Sequence, residues 1–219
     1  MRKVLRDNGL TIVMFGLFAV FWGGQSVTGW LQHNQERAEH DQAPVSWSEY
    51  IRSGEFLEAT GENWESEFFQ MGAFVVLSAF LFQRGSAESK DPDKREEQDA
   101  DPRSKATPKS PAPVHRGGLV LTFYSHSLSI TLFGLFLFSF ALHAVGGHLA
   151  HNDRAAAHHR PPLSVWQFVA SSTFWFQSLQ NWQSEFLSVA ALIVLSIFLR
   201  ARGSAQSKPV HASHAETGP

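Results

Sequence analysis

The chain has 219 residues, 43% of them hydrophobic, with 19 phenylalanines and a formal net charge of −2. That balance excludes a nucleic-acid partner, which needs a concentrated basic surface. The absence of cysteine excludes disulfides, thiolate metal sites, iron–sulfur clusters and cysteine nucleophiles.

The chain starts with a short basic stretch holding Arg2, Lys3 and Arg6, then an apolar run over about 10–31. Such a run has the length of a bilayer-crossing helix. A basic start before an apolar run also describes a signal peptide. The run is long for that, and the same pattern returns mid-chain at about 128–149. Both are therefore expected to be retained spans. Residues 33–62 are polar and acidic, and Ser46-Trp47-Ser48-Glu49 fits a capping box, as does Ser164-Val165-Trp166-Gln167 further on. Each predicts a short aromatic helix suited to the membrane interface, with Trp47, Tyr50 and Phe56 in one and Trp166, Phe168, Phe174 and Trp175 in the other.

A second span is predicted over about 64–83, stopped by Arg84-Gly85. Residues 86–117 are dense in Lys, Glu, Asp, Pro and Ser and predict a disordered linker. The third span is about 128–149 and the fourth about 182–200, followed by Arg202-Gly203 and a polar tail, 204–219, also expected to be disordered. The predicted architecture is all-α: four transmembrane helices in two two-span hairpins, 1–85 and 118–203.

A constant offset of 118, as from Leu10 to Leu128, superposes the hairpins without a gap. Phe15-Gly16-Leu17-Phe18 falls on Phe133-Gly134-Leu135-Phe136, and His33-Asn34 on His151-Asn152. Asn63-Trp64-Glu65-Ser66-Glu67-Phe68 falls on Asn181-Trp182-Gln183-Ser184-Glu185-Phe186. Arg84-Gly85-Ser86-Ala87 falls on Arg202-Gly203-Ser204-Ala205. Lys and Arg gather at the N-terminus, in the linker and after the fourth span, while the loops between spans carry only Arg37, Arg52, Arg154 and Arg160. The positive-inside rule then predicts cytoplasmic termini and outward loops. Two hairpins in one orientation make a parallel repeat about an axis along the membrane normal.

Chemistry concentrates on two stripes. On the even-numbered spans, Asn63, Glu67 and Ser78, with Asn181, Glu185 and Ser196, lie at helical spacing. A carboxylate near hydrocarbon is costly, so Glu67 and Glu185 are expected to face protein, water or headgroups. If both face the axis they approach each other, and could then handle a proton or cation. On the odd-numbered spans the stripe is Gln25, Gly29 and His33, matched by His143, Gly147 and His151. A carboxylate could meet His33 or His151 at the interface. No histidine spacing matches a metal signature, and Gln25 stands where a haem ligand paired with His143 would need a histidine, so neither metal nor cofactor is predicted. No phosphate loop, nucleophile elbow or metalloprotease motif is present, so no catalytic residue is assigned. The repeated Arg-Gly-Ser-Ala-x-Ser-Lys reads as a stop signal with basic anchors, or as a docking element.

These motifs, namely Asn8-Gly9-Leu10 at the start, Asn-Trp-x-Ser-Glu-Phe before each even span and Arg-Gly-Ser-x-x-Ser-Lys after it, resemble a family of uncharacterised bacterial membrane proteins of about this length. The second copy departs at Ser125-His126-Ser127. The resemblance implies a multi-pass protein of the bacterial inner membrane and supplies no activity. Two functions are expected to compete. One is a non-enzymatic membrane component or scaffold, with the bilayer and a membrane protein or second copy as partners. The other is a small oligomeric proton or cation transporter using Glu67 and Glu185.

Overall fold

The computed structural model describes residues 2–218, without the Arg2 side chain. It is helical, with no strand among the described residues. The helices are α1 (Arg2–Glu39), α2 (Trp47–Tyr50), α3 (Gly54–Phe80), α4 (Ala112–Arg116), α5 (Gly118–Ser125), α6 (Ser127–Ala157), α7 (Val165–Val169) and α8 (Ser172–Phe198), with one 3-10 turn at Glu97–Asp99. Three helices are long and apolar enough to cross a membrane: Lys3–Glu39, Ser127–Ala157 and Ser172–Phe198. Their large side chains point outward, with Leu10 80%, Phe15 69% and Phe21 69% exposed. Water would penalise that surface, and lipid would not.

Helix α3 falls short of the same standard. It starts at Gly54 and ends at Phe80, so the expected span of 64–83 starts inside the helix and ends three residues beyond it. Its uncharged part, 68–80, rises roughly 20 Å at helical pitch, against roughly 30 Å of hydrocarbon. Glu65, Glu67 and Gln70 occupy the turns where a longer apolar window would extend.

The helices before the loops also outrun their apolar runs. Predicted spans end near 31 and 149, whereas α1 continues to Glu39 and α6 to Ala157. Residues 32–39 are mostly good helix formers, with Arg37 in the last turn complementing the helix dipole. Both helices stop at a residue in the left-handed region, Asp41 at φ 53° and His159 at φ 54°. Near their starts, α1 is broken at Asn8 (φ −132°, ψ 16°), and α5 and α6 are separated at His126 (φ −112°, ψ 9°). These positions are again 118 apart, so the backbone keeps a break where the sequences diverge.

The capping boxes form as their pattern predicts: Ser46 and Ser164 accept from the N3 backbone, and Glu49 and Gln167 reach back to the cap. The short helices are α2 and α7. Phe56, Phe174 and Trp175, expected in them, belong to α3 and α8 instead.

The chain divides into two compact units. One comprises 1–61 with 141–174, the other 62–140 with 175–219. The first has a small core of Tyr50, Phe56, Phe168 and Phe174, each at most 5% exposed. There the start of α3 lies backbone-to-backbone on the end of α6. A Cβ on Gly54 would sit 2.5 Å from Ala150 N, and one on Gly146 would sit 2.7 Å from Leu57 C. In the second unit, Phe69 packs against Trp182, Phe136 and Phe186 at centroid distances of 4.5, 5.1 and 5.6 Å. Residues 86–117 and 204–218 hold mainly turns outside α4 and the 3-10 turn, and Ser86, Ala87 and Lys208 within them are buried.

Candidate functional site

The first unit builds a polar cavity from the extended ends of α1 and α6. Residues 33, 36, 37 and 40 fall at helical spacing, which gives His33, Glu36, Arg37 and His40 one face. The chain is then folded back by one side chain. Asn34 donates through Nδ2 to Val45 O at 3.0 Å and accepts from Val45 N at 2.8 Å. Trp30 Nε1 donates to the same carbonyl at 2.8 Å. In the second half, Asn152 grips Leu163 by the same two bonds, at 3.0 and 2.9 Å, and His148 Nε2 lies 2.8 Å from Leu163 O. The clamp sets each capping serine so that its short helix turns a ring inward, Tyr50 onto Gly29 and Phe168 onto Gly147. A Cβ on Gly147 would lie 2.6 Å from the Phe168 ring, so glycine is required there by close approach.

Between these frames lies a cavity of about 590 Å³. Glu36, Arg37 and His40 line it from the first half, and Asp153, Arg154 and His158 from the second. His40 and His158, 118 residues apart, meet edge to face at 5.4 Å. His33 Nδ1 lies 2.5 Å from Glu55 Oε2, and the pair is about four-fifths buried at His33 and three-quarters at Glu55. Tyr50 is 3% exposed on the cavity wall. Burial first, then the carboxylates of Glu55 and Glu36, push its hydroxyl up to about 12, so it stays a neutral donor at physiological pH. Glu49, bonded by Ser46 through side chain and backbone, is held below the usual carboxylate range. Behind the cavity Glu58 is 4% exposed and accepts from Arg154 Nη2 at 2.9 Å.

The second unit holds the acidic stretch of α3. Glu65 is fully buried and accepts from Trp182 Nε1 at 3.0 Å. Asn181 Nδ2 donates to Glu62 Oε1 at 2.6 Å. Glu67 is exposed and Glu185 half-buried. Ser196 Oγ bonds Ser86 Oγ at 2.9 Å and accepts from Ala87 N at 3.2 Å, whereas Ser78 bonds its own helix at Val75 O.

Of the residues singled out by sequence, Glu67 and Glu185 make no hydrogen bond or ion pair with each other among the described residues. His33 finds a carboxylate, Glu55 rather than Glu67. His151 lies against Phe168, and His143 is fully buried and stacked on Phe174 at 4.5 Å. Gln25 is half-buried on α1, and Asn63 is exposed on α3. Among the described residues no three His, Asp or Glu side chains gather as metal ligands would. Sequence reasoning passed over Glu55, Glu58, Glu65, Tyr50 and the His40–His158 pair. One signal was available, because the offset sets Glu62 and Glu65 opposite Gln180 and Gln183. Acids confined to one copy mark positions whose partners differ.

No curated protein and no solved structure matches the chain. A family profile described as a domain of unknown function matches residues 1–219. The clamped helix ends, the acidic α3 and the apolar helices thus lie within one recognised unit of sequence, and the chain belongs to the DUF6766 family.

Proposed function

We propose that the protein is a non-enzymatic, partner-binding component of the bacterial inner membrane, which receives a charged segment of its partner in the cavity of the first unit. The observation that carries this reading is the cavity itself: about 590 Å³, lined by guanidinium, imidazole and carboxylate groups from both halves of the chain. Its walls are fixed by the Asn34 and Asn152 clamps, so little ordering entropy is lost on binding.

The membrane arrangement belongs to the same proposal. Four spans cross as two tandem hairpins in parallel orientation, with both termini inside and the cavity outside. The local bonds shared at an offset of 118 support the repeat. The Lys and Arg distribution supports the orientation. The segment 68–80 with Leu81 and Phe82 supplies the fourth crossing, helped by the local bilayer thinning that short spans induce. Because the chain lacks cysteine, single cysteines test this directly. Ala43→Cys and His159→Cys should react with an impermeant maleimide from outside, and Ser110→Cys only after permeabilisation; the reverse pattern overturns the topology. A photo-crosslinker at Asp153 should give a discrete adduct in native membranes that Glu36→Lys abolishes. If no adduct forms, with a second copy or any other protein, the binding role is wrong.

A further inference from the structure

The two Arg-Gly-Ser-Ala-x-Ser-Lys loops have nearly the same backbone and different occupants. Gly85 and Gly203 take φ of 85° and 84°. Gln83 N donates to Ser89 Oγ at 2.8 Å, and Ala201 N to Ser207 Oγ at 2.9 Å. Glu88 N donates to Ser86 Oγ, and Gln206 N to Ser204 Oγ, both at 3.1 Å.

The first loop is filled from within the protein. Arg84 Nη1 pairs with Asp93 Oδ2 at 2.8 Å. Gly85 N donates to Thr217 Oγ1 at 2.8 Å, and a Cβ on Gly85 would lie 2.5 Å from His214 O. In the second loop each of these partners is missing. The position matching Asp93 is His211, and the one matching Asp91 is Pro209. Among the described residues no carboxylate pairs with Arg202, and nothing lies within 4 Å of a Cβ on Gly203. A cavity of about 540 Å³ opens there, lined by Arg202, Gly203, Ser204, Ser207 and His211. Lys208 also borders it, but its buried ammonium donates to the carbonyls of Ser213, His214 and Glu216.

We infer that this second loop is a binding site for the phosphate of an anionic lipid headgroup, which takes the place that Asp93 fills in the first loop. A guanidinium beside a glycine N–H in a left-handed turn is an anion cradle. A lipid is favoured over free phosphate because the cradle directly follows an apolar helix. Val210 lines it at 62% exposed, and Phe198 and Leu199, which precede it in the chain, are 58% and 59% exposed, so acyl chains have apolar surface to meet while Arg202 meets the headgroup.

The test is binding of short-chain phosphatidylglycerol to the full-length protein in detergent, with phosphatidylcholine and inorganic phosphate as separate arms. Phosphatidylglycerol should bind most tightly. Arg202→Gln should weaken it about tenfold, the worth of one charge-assisted bond. His211→Asp should do the same by restoring the internal acid, while Arg84→Gln leaves binding unchanged. Thermal midpoints of all three variants show whether each is folded. Wild-type affinity in both Arg202→Gln and His211→Asp overturns the site, and an equal loss in Arg84→Gln reduces it to unspecific surface charge. Inorganic phosphate or phosphatidylcholine binding as tightly as phosphatidylglycerol overturns the anionic-lipid assignment.

Discussion

The crossing of α3 on α6 gives the sharpest prediction. A methyl group added at Gly146 would lie 2.7 Å from Leu57 C and 2.8 Å from Leu57 Cβ. These are backbone and near-backbone atoms that no rotamer change can move. Glu58 N lies closer still, so ordinary contact needs α3 to withdraw by roughly 1 Å. Withdrawal would also loosen the seat of Gly54 on Ala150 and stretch the Arg154–Glu58 bond. Overpacking of this kind costs about 1–3 kcal/mol. The control is Gly134→Ala in the same helix, where nothing lies within 4 Å of the new Cβ. There the better helix propensity of alanine should gain up to about 1 kcal/mol. Because the propensity gain is common to both substitutions, the two variants should differ by the overpacking cost, about 1–3 kcal/mol, seen as a midpoint roughly 2–12 °C lower for Gly146→Ala in thermal unfolding in lipid nanodiscs. If Gly146→Ala melts at or above Gly134→Ala, the backbone-to-backbone crossing is refuted.

Other expectations follow from single bonds. Arg154→Gln should cost about 1–2 kcal/mol, kept modest because Arg154 is itself 56% exposed; adding Glu58→Gln should recover part of it, and strict additivity in a denaturation cycle would deny the pair. Trp182→Phe removes a donor from the fully buried Glu65 carboxylate and should cost about 1–3 kcal/mol, with Glu65→Gln in that background restoring stability; no loss on heating would refute the contact. Tyr50→Phe should be near-neutral at pH 7, since Phe168 fills the equivalent place. Raised from 10.0 to about 12, the Tyr50 hydroxyl contributes stability that is complete below pH 10 and lost as pH rises towards 12. Alkaline melting curves should therefore fall more steeply for wild type than for Tyr50→Phe, and parallel curves would contradict the buried hydroxyl.

How much of this was legible depended on the range of each interaction. Ser46 and Ser164 were readable as caps because a capping box closes within four residues. The apolar runs showed the membrane character of α1, α6 and α8 for the same local reason. The helices outrun the predicted spans because hydropathy stops at Leu31 while helix propensity continues to Glu39. Helix α3 read as an ordinary span because Leu81 and Phe82 lengthen its apolar run past the point where the helix stops. The clamp residues Asn34 and Asn152 were visible as matched positions, yet their job depends on a chain reversal that no periodicity reports. His143 read as a polar position on a helical stripe, which gave its face but not its neighbour, Phe174, from another helix. Glu55 and Glu58 were hidden altogether, since the imidazole and guanidinium that hold them come from elsewhere in the chain.

The make-up of the first unit also sets an order of events in biosynthesis. Its parts are 1–61 and 141–174, so a ribosome must translate past Phe174 before the unit has all its pieces. Gly54 and Glu58 are likewise made well before the α6 surface, Gly146 to Arg154, that seats them. The loop clamped by Asn34 closes early, since its partner Val45 follows within a few residues, and it must wait for a counterpart. A nascent chain halted in the linker would hold one finished frame and half a cavity.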